Sequence, residues 1–404
     1  MSVSATAARR APADDRSEDI SRGERLARLR LARSRNVGPR TFLHLLRRFG
    51  SAEAAIESLP DLAARGGSPD YSPFPADLAE EECAAGEAFG ARLVALGDDG
   101  YPANLARIDT PPPVLWIRGR GELFARPAVA IVGARNASAL GLRTARRLAR
   151  DLGAAGQVVV SGLARGIDAA AHEAALDTGT LAVMAGGIDQ IYPPENADLT
   201  GRIAEEGALV SEAPVGTVPT GRHFPKRNRL VAGLAQGVLL IEAASRSGSL
   251  ITARYALDQG REVMAVPGTP EDPRATGCNA LIRDGAALIR EADDVLDALA
   301  APAAPGLAEE GGEFSLDGAP FIDEEEDDSL DPLWDFDPEG DDDGGALAEQ
   351  VMRLLGPVAV DIDELARATG SAPAQLSLAI LELELAGRVE TLPGQRVALA
   401  DPES

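Results

Sequence analysis

The chain has 404 residues, 45% hydrophobic and 4% aromatic, with a formal net charge of −25; this length supports two or three domains with their own cores. No apolar run approaches the eighteen or so residues of a membrane span, and the first fifteen residues lack a secretory apolar core. Two cysteines without a CxxC pair, Cys83 and Cys278, rule out a disulfide framework and a cysteine zinc site. The expected setting is the reducing cytosol, with no metal, no cofactor and no membrane partner.

The charge is unevenly spread. Residues 301–345 hold 17 acidic residues and no basic one, residues 120–300 hold 19 basic against 21 acidic, and residues 1–119 hold 16 against 17. Most of the chain is therefore near neutral, and local clusters decide what it can bind.

From the N-terminus, a polar tail over 1–20 precedes a helix rich in Leu and Arg (Arg22–Arg35). Gly38-Pro39 opens the next helix, Gly50 ends it and Ser51 caps a third. This rhythm resembles a helix-hairpin-helix or SAM-like module, whose turn can bind DNA phosphates. From Pro127 the pattern becomes strand–helix alternation, with strands at "AVAIVG", "QVVVSG", "TLAVMAGG", "ALVSEAP", "GVLLIEAA" and "EVMAVPG". Such alternation predicts a doubly wound α/β domain with a mostly parallel sheet. The acidic tract 301–345 is too polar to build a core. Residues 346–404 read as three helices followed by two strands around "LPGQ", the order of a winged helix.

In an open parallel sheet, ligands bind beyond the carboxyl ends of the strands. The loops at those ends are rich in Gly, Ser and Arg here: Gly133-Ala134-Arg135, "SGLARGID" (Ser161–Asp168), Gly186-Gly187 and "EAASRSGS" (Glu242–Ser249). A further loop, "FPKRNR" (Phe224–Arg229), opens the helix expected from Arg227 and contains Lys226, the chain's single lysine. Gly lets backbone N–H groups approach an anion, and Ser adds a hydroxyl. Several such loops on one edge suit several phosphates. The cations around Lys226, unrelieved by nearby acid in the sequence, would repel one another without an anion. Asp168 is expected to complement its own helix N-terminus, and His172 to be packed. The Arg143, Arg146, Arg147, Arg150 stripe is expected to be a solvated face.

At these residues the chain resembles the DprA/Smf family of bacterial DNA-processing proteins. The resemblance runs through Tyr101-Pro102, "VGAR", "SGLARGIDAAAHEAAL", "GGIDQIYPPEN", "SEAPVG", "HFPKRNRLVAGL", "EAASRSGSLITA", "AVPG" and "GCNALIRDGA", in order, over roughly 190 residues. It implies an extended Rossmann-like domain over 96–300, a helical SAM/HhH-like domain over 21–95 and a winged-helix-like domain over 346–404. It implies a non-catalytic protein that binds single-stranded DNA (ssDNA) and loads RecA onto it, in natural transformation and DNA processing, as a homodimer. The family's pocket arginine falls on Arg135 and its lysine on Lys226, with Phe224 as stacking partner; Ala134 departs from the usual Ser or Thr. The full expected ssDNA-binding set is Gly133, Arg135, Ser161, Gly162, Arg165, Gly166, Phe224, Lys226, Arg227, Asn228, Arg229, Ser247, Gly248 and Ser249.

A rival reading is enzymatic. The Gly-rich edge also resembles LOG-type (lysine-decarboxylase-like) nucleotide N-glycosidases, but Thr252 stands where their catalytic Glu should be. Residues 346–404 carry four arginines (Arg353, Arg367, Arg388, Arg396) against nine acidic residues. That balance favours a protein-contact role over duplex binding. The acidic tract reads as a spacer or, more sharply, as a DNA mimic competing for the basic cleft.

Overall fold

The computed structural model describes residues 20–301, 344–355, 359–392 and 394–400. The tail expected over 1–20 and the linker expected over 301–345 lie outside these residues, except at their margins.

Four helices come first: α1 (Arg22–Arg33), α2 (Pro39–Phe49), α3 (Ala52–Arg65) and α4 (Ala76–Ala88). Ser21 caps α1 by accepting from Glu24 N at 3.2 Å, and Ser51 caps α3 by accepting from Ala54 N at 3.2 Å. Gly50, with φ 76°, ends α2 in the left-handed region that a side chain would resist. Leu31, Phe42, Leu45 and Leu59 fill the core of this bundle.

Next come β1 (Arg92–Ala95), β2 (Val114–Gly119), β3 (Ala128–Gly133), α5 (Ala139–Ala154), β4 (Val158–Ser161), α6 (Ile167–Ala175) and β5 (Thr180–Val183). They are followed by α7 (Ala197–Glu206), β6 (Ala208–Ser211), α8 (His223–Leu234), β7 (Gly237–Ile241), α9 (Gly248–Asp258) and β8 (Glu262–Ala265). The domain closes with α10 (Thr276–Arg283), β9 (Ala287–Leu288) and α11 (Ala292–Ala300). The nine strands form one sheet in the order β1-β2-β6-β5-β4-β3-β7-β8-β9. All neighbours pair in parallel from β6 to β9; β2 joins β6, and β1 joins β2, antiparallel. β3, β4, β5 and β7 are buried almost throughout, which is why they read as unbroken apolar runs. From β3 the chain winds one way through β4, β5 and β6, then the other through β7, β8 and β9. The switch point lies between β3 and β7, and the crevice there is the place for a ligand.

The last unit has α12 (Gly344–Leu354), β10 (Val360–Asp361), α13 (Ile362–Thr369), α14 (Pro373–Leu385), β11 (Val389–Leu392) and β12 (Arg396–Leu399), with sheet order β10-β12-β11. The winged-helix order expected from the sequence is present. Its third helix, α14, is apolar on both sides. Leu376, Ala379, Ile380 and Leu383 pack into the unit's own core, while Leu381 and Leu385 enter the core of the N-terminal bundle. Backbones meet there. A Cβ at Gly66 would lie 1.9 Å from the Glu382 carbonyl oxygen, and Asn36 Nδ2 donates to Leu385 O at 3.0 Å.

Candidate nucleic-acid interface

At the switch point the loops after β3 and β4 are locked together through glycine. A Cβ at Gly133 would stand 1.9 Å from the Ile241 carbonyl of β7, so only glycine lets the chain pass. Gly166 has φ 79°, and a Cβ there would meet the Ala134 and Arg135 carbonyls at 2.3 and 2.7 Å. Ile167 N donates to Ala134 O at 3.2 Å. These contacts fix the backbone of Arg135, whose side chain projects into solvent.

Three groups meet above this edge. The Arg135 guanidinium lies 5.3 Å from the centroid of the Phe224 ring, within cation–π range. On the ring's other neighbour, Tyr192, the centroid distance is 5.5 Å and the planes are tilted by 57°. Tyr192 is 49% exposed. Lys226 follows Phe224 by two residues in the first turn of α8, exposed, and its side chain has no ion pair or hydrogen bond among the described residues. The helix starts at His223, four residues before the start expected from the sequence, so the "FPKRNR" stretch is helical. Partial burial and the cations Arg222 and Lys226 hold the His223 imidazole below its usual range, which disfavours a further positive charge there.

Two members of the expected set belong to the interior, and their positions correct the expectation of an unrelieved cationic cluster. Arg227 is buried and donates to Val183 O at 3.2 Å. It fills the space a Gly162 side chain would need, since a Cβ there would lie 1.5 Å from its Nη1. Burial pulls its pKa down to about 10, opposed by Asp168, so it stays a cation at neutral pH. Asp168 in turn accepts from Gly162 N at 3.1 Å and Ala164 N at 3.3 Å. Its carboxyl is pushed up by burial and held back by Arg227 and these N–H groups. Asp168 thus lies in the first turn of α6 as expected, but its hydrogen bonds close the loop before the helix and cap none of the helix's own N–H groups, and its charge offsets Arg227. Arg229 pairs with Glu212 and donates to Thr110 O at 2.7 Å. The acid that relieves both arginines comes from other elements, so proximity in sequence does not reveal it.

Ser161 is also internal: its hydroxyl donates to Ile131 O at 2.6 Å, which removes it from any ligand. Arg165 is exposed but shares its charge with Glu195 at 3.7 Å. At the start of α9, Ser247 is the cap and its Oγ lies 2.7 Å from Ser249 Oγ, while Ser249 is buried. Gly248 is open to solvent, and Asn228 Nδ2 donates to its carbonyl at 3.3 Å, tying α8 to α9. Of the fourteen expected residues, the structure brings Arg135 and Phe224 together, with Lys226 close by. Gly133, Gly162 and Gly166 shape their support.

Sequence reasoning missed Tyr192. Its signal was a tyrosine in the stretch "IYPPEN", in a chain with only four tyrosines. His172 is packed as expected: its Nδ1 lies 2.6 Å from Thr180 Oγ1, and burial followed by Arg227 drives its pKa down to about 3. Arg143, Arg146, Arg147 and Arg150 form a largely exposed face, with Arg146 paired to Glu173 at 3.5 Å.

The edge is poorly suited to a nucleotide enzyme. In dinucleotide-binding folds a phosphate sits at the N-terminus of the helix after the first parallel strand. Here Glu242 holds that place at α5, accepting from Ser138 N at 2.8 Å and from the Ser138 hydroxyl. Thr252, at the position of the glycosidase glutamate, is buried. No His/Cys/Asp/Glu group able to hold a metal occurs among the described residues. Nor is any helix of the described residues long and apolar enough to cross a membrane.

Comparison with known proteins agrees along the chain. Residues 92–300 match the model for DNA recombination-mediator protein A, residues 22–85 a DprA-like N-terminal HHH domain, and residues 337–395 a DprA winged helix domain. Protein Smf of Escherichia coli is 35% identical over 310 residues, 76% of this chain and 77% of that protein. The X-ray structure of DNA processing protein A from Streptococcus pneumoniae superposes with a TM-score of 0.57 at 34% identity, covering 69% of this chain and 98% of that one. The Helicobacter pylori DNA processing protein A, solved for its single-stranded DNA binding mode, is 30% identical over 52% of this chain and 95% of that one, with a TM-score of 0.48.

Proposed function

The chain belongs to the DNA recombination-mediator protein A (DprA/Smf) family, and we propose that it binds ssDNA along the β3/β7 edge and delivers the strand to RecA. One observation carries this reading: Phe224 stands beside Arg135 and against the exposed ring of Tyr192, with Lys226 in the same first turn of α8 as Phe224. Rings offer a stacking face to any unpaired base, whatever its identity, and the two cations offer charge to the phosphates. A duplex keeps its bases stacked on each other and cannot use the rings. In this reading the protein acts by binding and not by catalysis, and the buried Thr252 speaks against the glycosidase alternative in particular. It works as a homodimer, which gives one strand two linked sites and a higher apparent affinity.

The test is fluorescence anisotropy with a labelled oligo-dT and a duplex of the same length across a salt series. The oligo-dT binds more tightly, and log K falls linearly with log salt as counterions are released. Equal affinity for both forms, or binding indifferent to salt, overturns the proposal. Light scattering checks the dimer. RecA filament growth on strands coated with single-strand binding protein checks delivery, which should be faster when the protein is added.

A further inference from the structure

A cavity of about 560 Å³ opens beside the platform, between the N-terminal bundle and the Rossmann-like domain. Ala32 and Val37 form one wall, and Met184 and Leu230 belong to the other. Lys226 lines it and Phe224 does not. Residues two apart in a helix point to different sides, so the first turn of α8 is a ridge, with the aromatic platform on one flank and the cavity on the other.

The charges of the cavity are sorted. Inside, Arg33 is engaged by Glu82 at 2.8 Å and Arg229 by Glu212, while Arg227 is buried, donates to Val183 O at 3.2 Å and is offset by the Asp168 charge. At the rim, Arg222 and Lys226 are exposed, with no side-chain ion pair or hydrogen bond among the described residues. A polyphosphate would need exposed cations in the interior, and there Arg33 and Arg229 are each held by a carboxylate while Arg227 is buried on the Val183 carbonyl. The fitting guest has one anionic end at the mouth and a flat, uncharged body within, in a volume that lies in the range of small-molecule pockets. A nucleoside monophosphate unit has that form.

Resting on the ssDNA reading above, we infer that this cavity receives an unstacked nucleotide of the bound strand. A strand crossing the α8 ridge lays one base on Phe224 and Tyr192 and turns a neighbouring base into the cavity. The phosphate at the crossing then meets Lys226 and Arg222. The N-terminal bundle, by supplying one wall, becomes part of the strand site.

The inference is tested on the full-length protein by filling the cavity from either wall, with Ala32→Phe and Ala213→Phe as separate variants, and by crosslinking on the parent. Each filled variant should bind oligo-dT about five- to tenfold more weakly at an unchanged salt slope, because a base contact is lost and no phosphate contact. An oligomer of abasic sugar-phosphates should bind parent and filled variants alike. In the parent, an oligomer carrying 4-thiothymidine should photocrosslink to the cavity-wall peptides holding Met184 or Tyr255, a readout that needs no variant to fold. Crosslinks confined to the peptides of Tyr192 and Phe224 overturn the inference. So does oligo-dT affinity unchanged by filling, or an equal loss with the abasic oligomer. Free dTMP is the second arm: if the parent binds it and filling abolishes that binding while oligo-dT is held as before, the cavity serves a free nucleotide and the strand assignment is wrong. If the parent binds no oligo-dT at all, the ssDNA reading itself falls, and the strand assignment with it.

Discussion

Two helices of this molecule occupy places where DNA contact is expected, and they are built in opposite ways. The first turn of α8 offers Lys226 to solvent beside a partly exposed aromatic pair. The third helix of the winged unit, α14, holds the position that reads the major groove in winged-helix DNA binders, yet it is walled in on two sides. One flank packs in its own unit, and the other sends Leu381 and Leu385 into the N-terminal bundle. Its charges are Glu382 and Glu384, of the wrong sign for phosphate. Glu382 is fully buried, with Arg65 at 3.8 Å and no hydrogen bond to its carboxylate oxygens among the described residues. Fold alone does not assign a DNA-binding face. Exposure and the sign of the free charge do, and here both favour the Rossmann-like edge.

The strongest way to break this comparison is to free α14. Gly66→Val puts a side chain where the Glu382 carbonyl sits, so the bundle and the winged unit must part. Exposing Leu381 and Leu385 costs about 1.5–3 kcal/mol for each side chain. Hydrogen exchange across α14 should rise, oligo-dT affinity should hold, and duplex affinity should not increase. A gain of duplex binding would mean that docking hides a reader. The docking also responds to acid in a definite direction. Burial raises the Glu382 carboxyl, with Arg65 and Arg48 opposing, so the docked state binds more protons than the undocked one. Protection of α14 should therefore strengthen as pH falls from neutrality towards the ordinary carboxylate range and weaken as it rises.

A second change separates the buried cations of α8 from the exposed one. Asp168→Ala leaves Arg227 in the interior without its carboxylate, at a cost of about 3–5 kcal/mol, read as a fall in melting temperature. If the melting temperature does not move, Asp168 is not what offsets the buried Arg227. Phe224→Ala and Tyr192→Ala act on binding and should each remove about 1–3 kcal/mol of oligo-dT affinity at an unchanged salt slope. Loss for one ring and none for the other would reduce the platform to a single residue.

Much of this was legible in the sequence. The alternation from β3 to β8, the Gly-rich strand ends and the cationic stretch at Phe224–Arg229 come from local pattern, because turn geometry and burial periodicity are local properties. The illegible part is pairwise and distant. Arg227 and Arg229 look as free as Lys226 until the fold buries the first under the charge of Asp168 and pairs the second with Glu212. Tyr192 gains its role only from Phe224, a ring far along the chain. The docking of α14 has a composition signal, a helix apolar all round with two acids, but nothing in the sequence names the surface that receives it.

The smallest expected effect is the sharpest test of the exposed cation. Lys226→Ala should weaken oligo-dT binding evenly across sequences and flatten the salt slope by about one counterion, since a phosphate contact carries charge and little base information. Lys226→Arg keeps the charge. If Lys226 acts only through its long-range field, the substitution leaves both affinity and slope where they were. If the ammonium sits against a phosphate at the α8 ridge, a broader guanidinium must fit the same crossing, and its planar fork must align with oxygens that a point charge meets from any direction. Affinity then falls by a few-fold while the slope stays at the parent's value. That combination, charge retained and affinity partly lost, distinguishes a contact from a field. Full parent affinity in Lys226→Arg together with a normal slope in Lys226→Ala would remove Lys226 from the interface altogether.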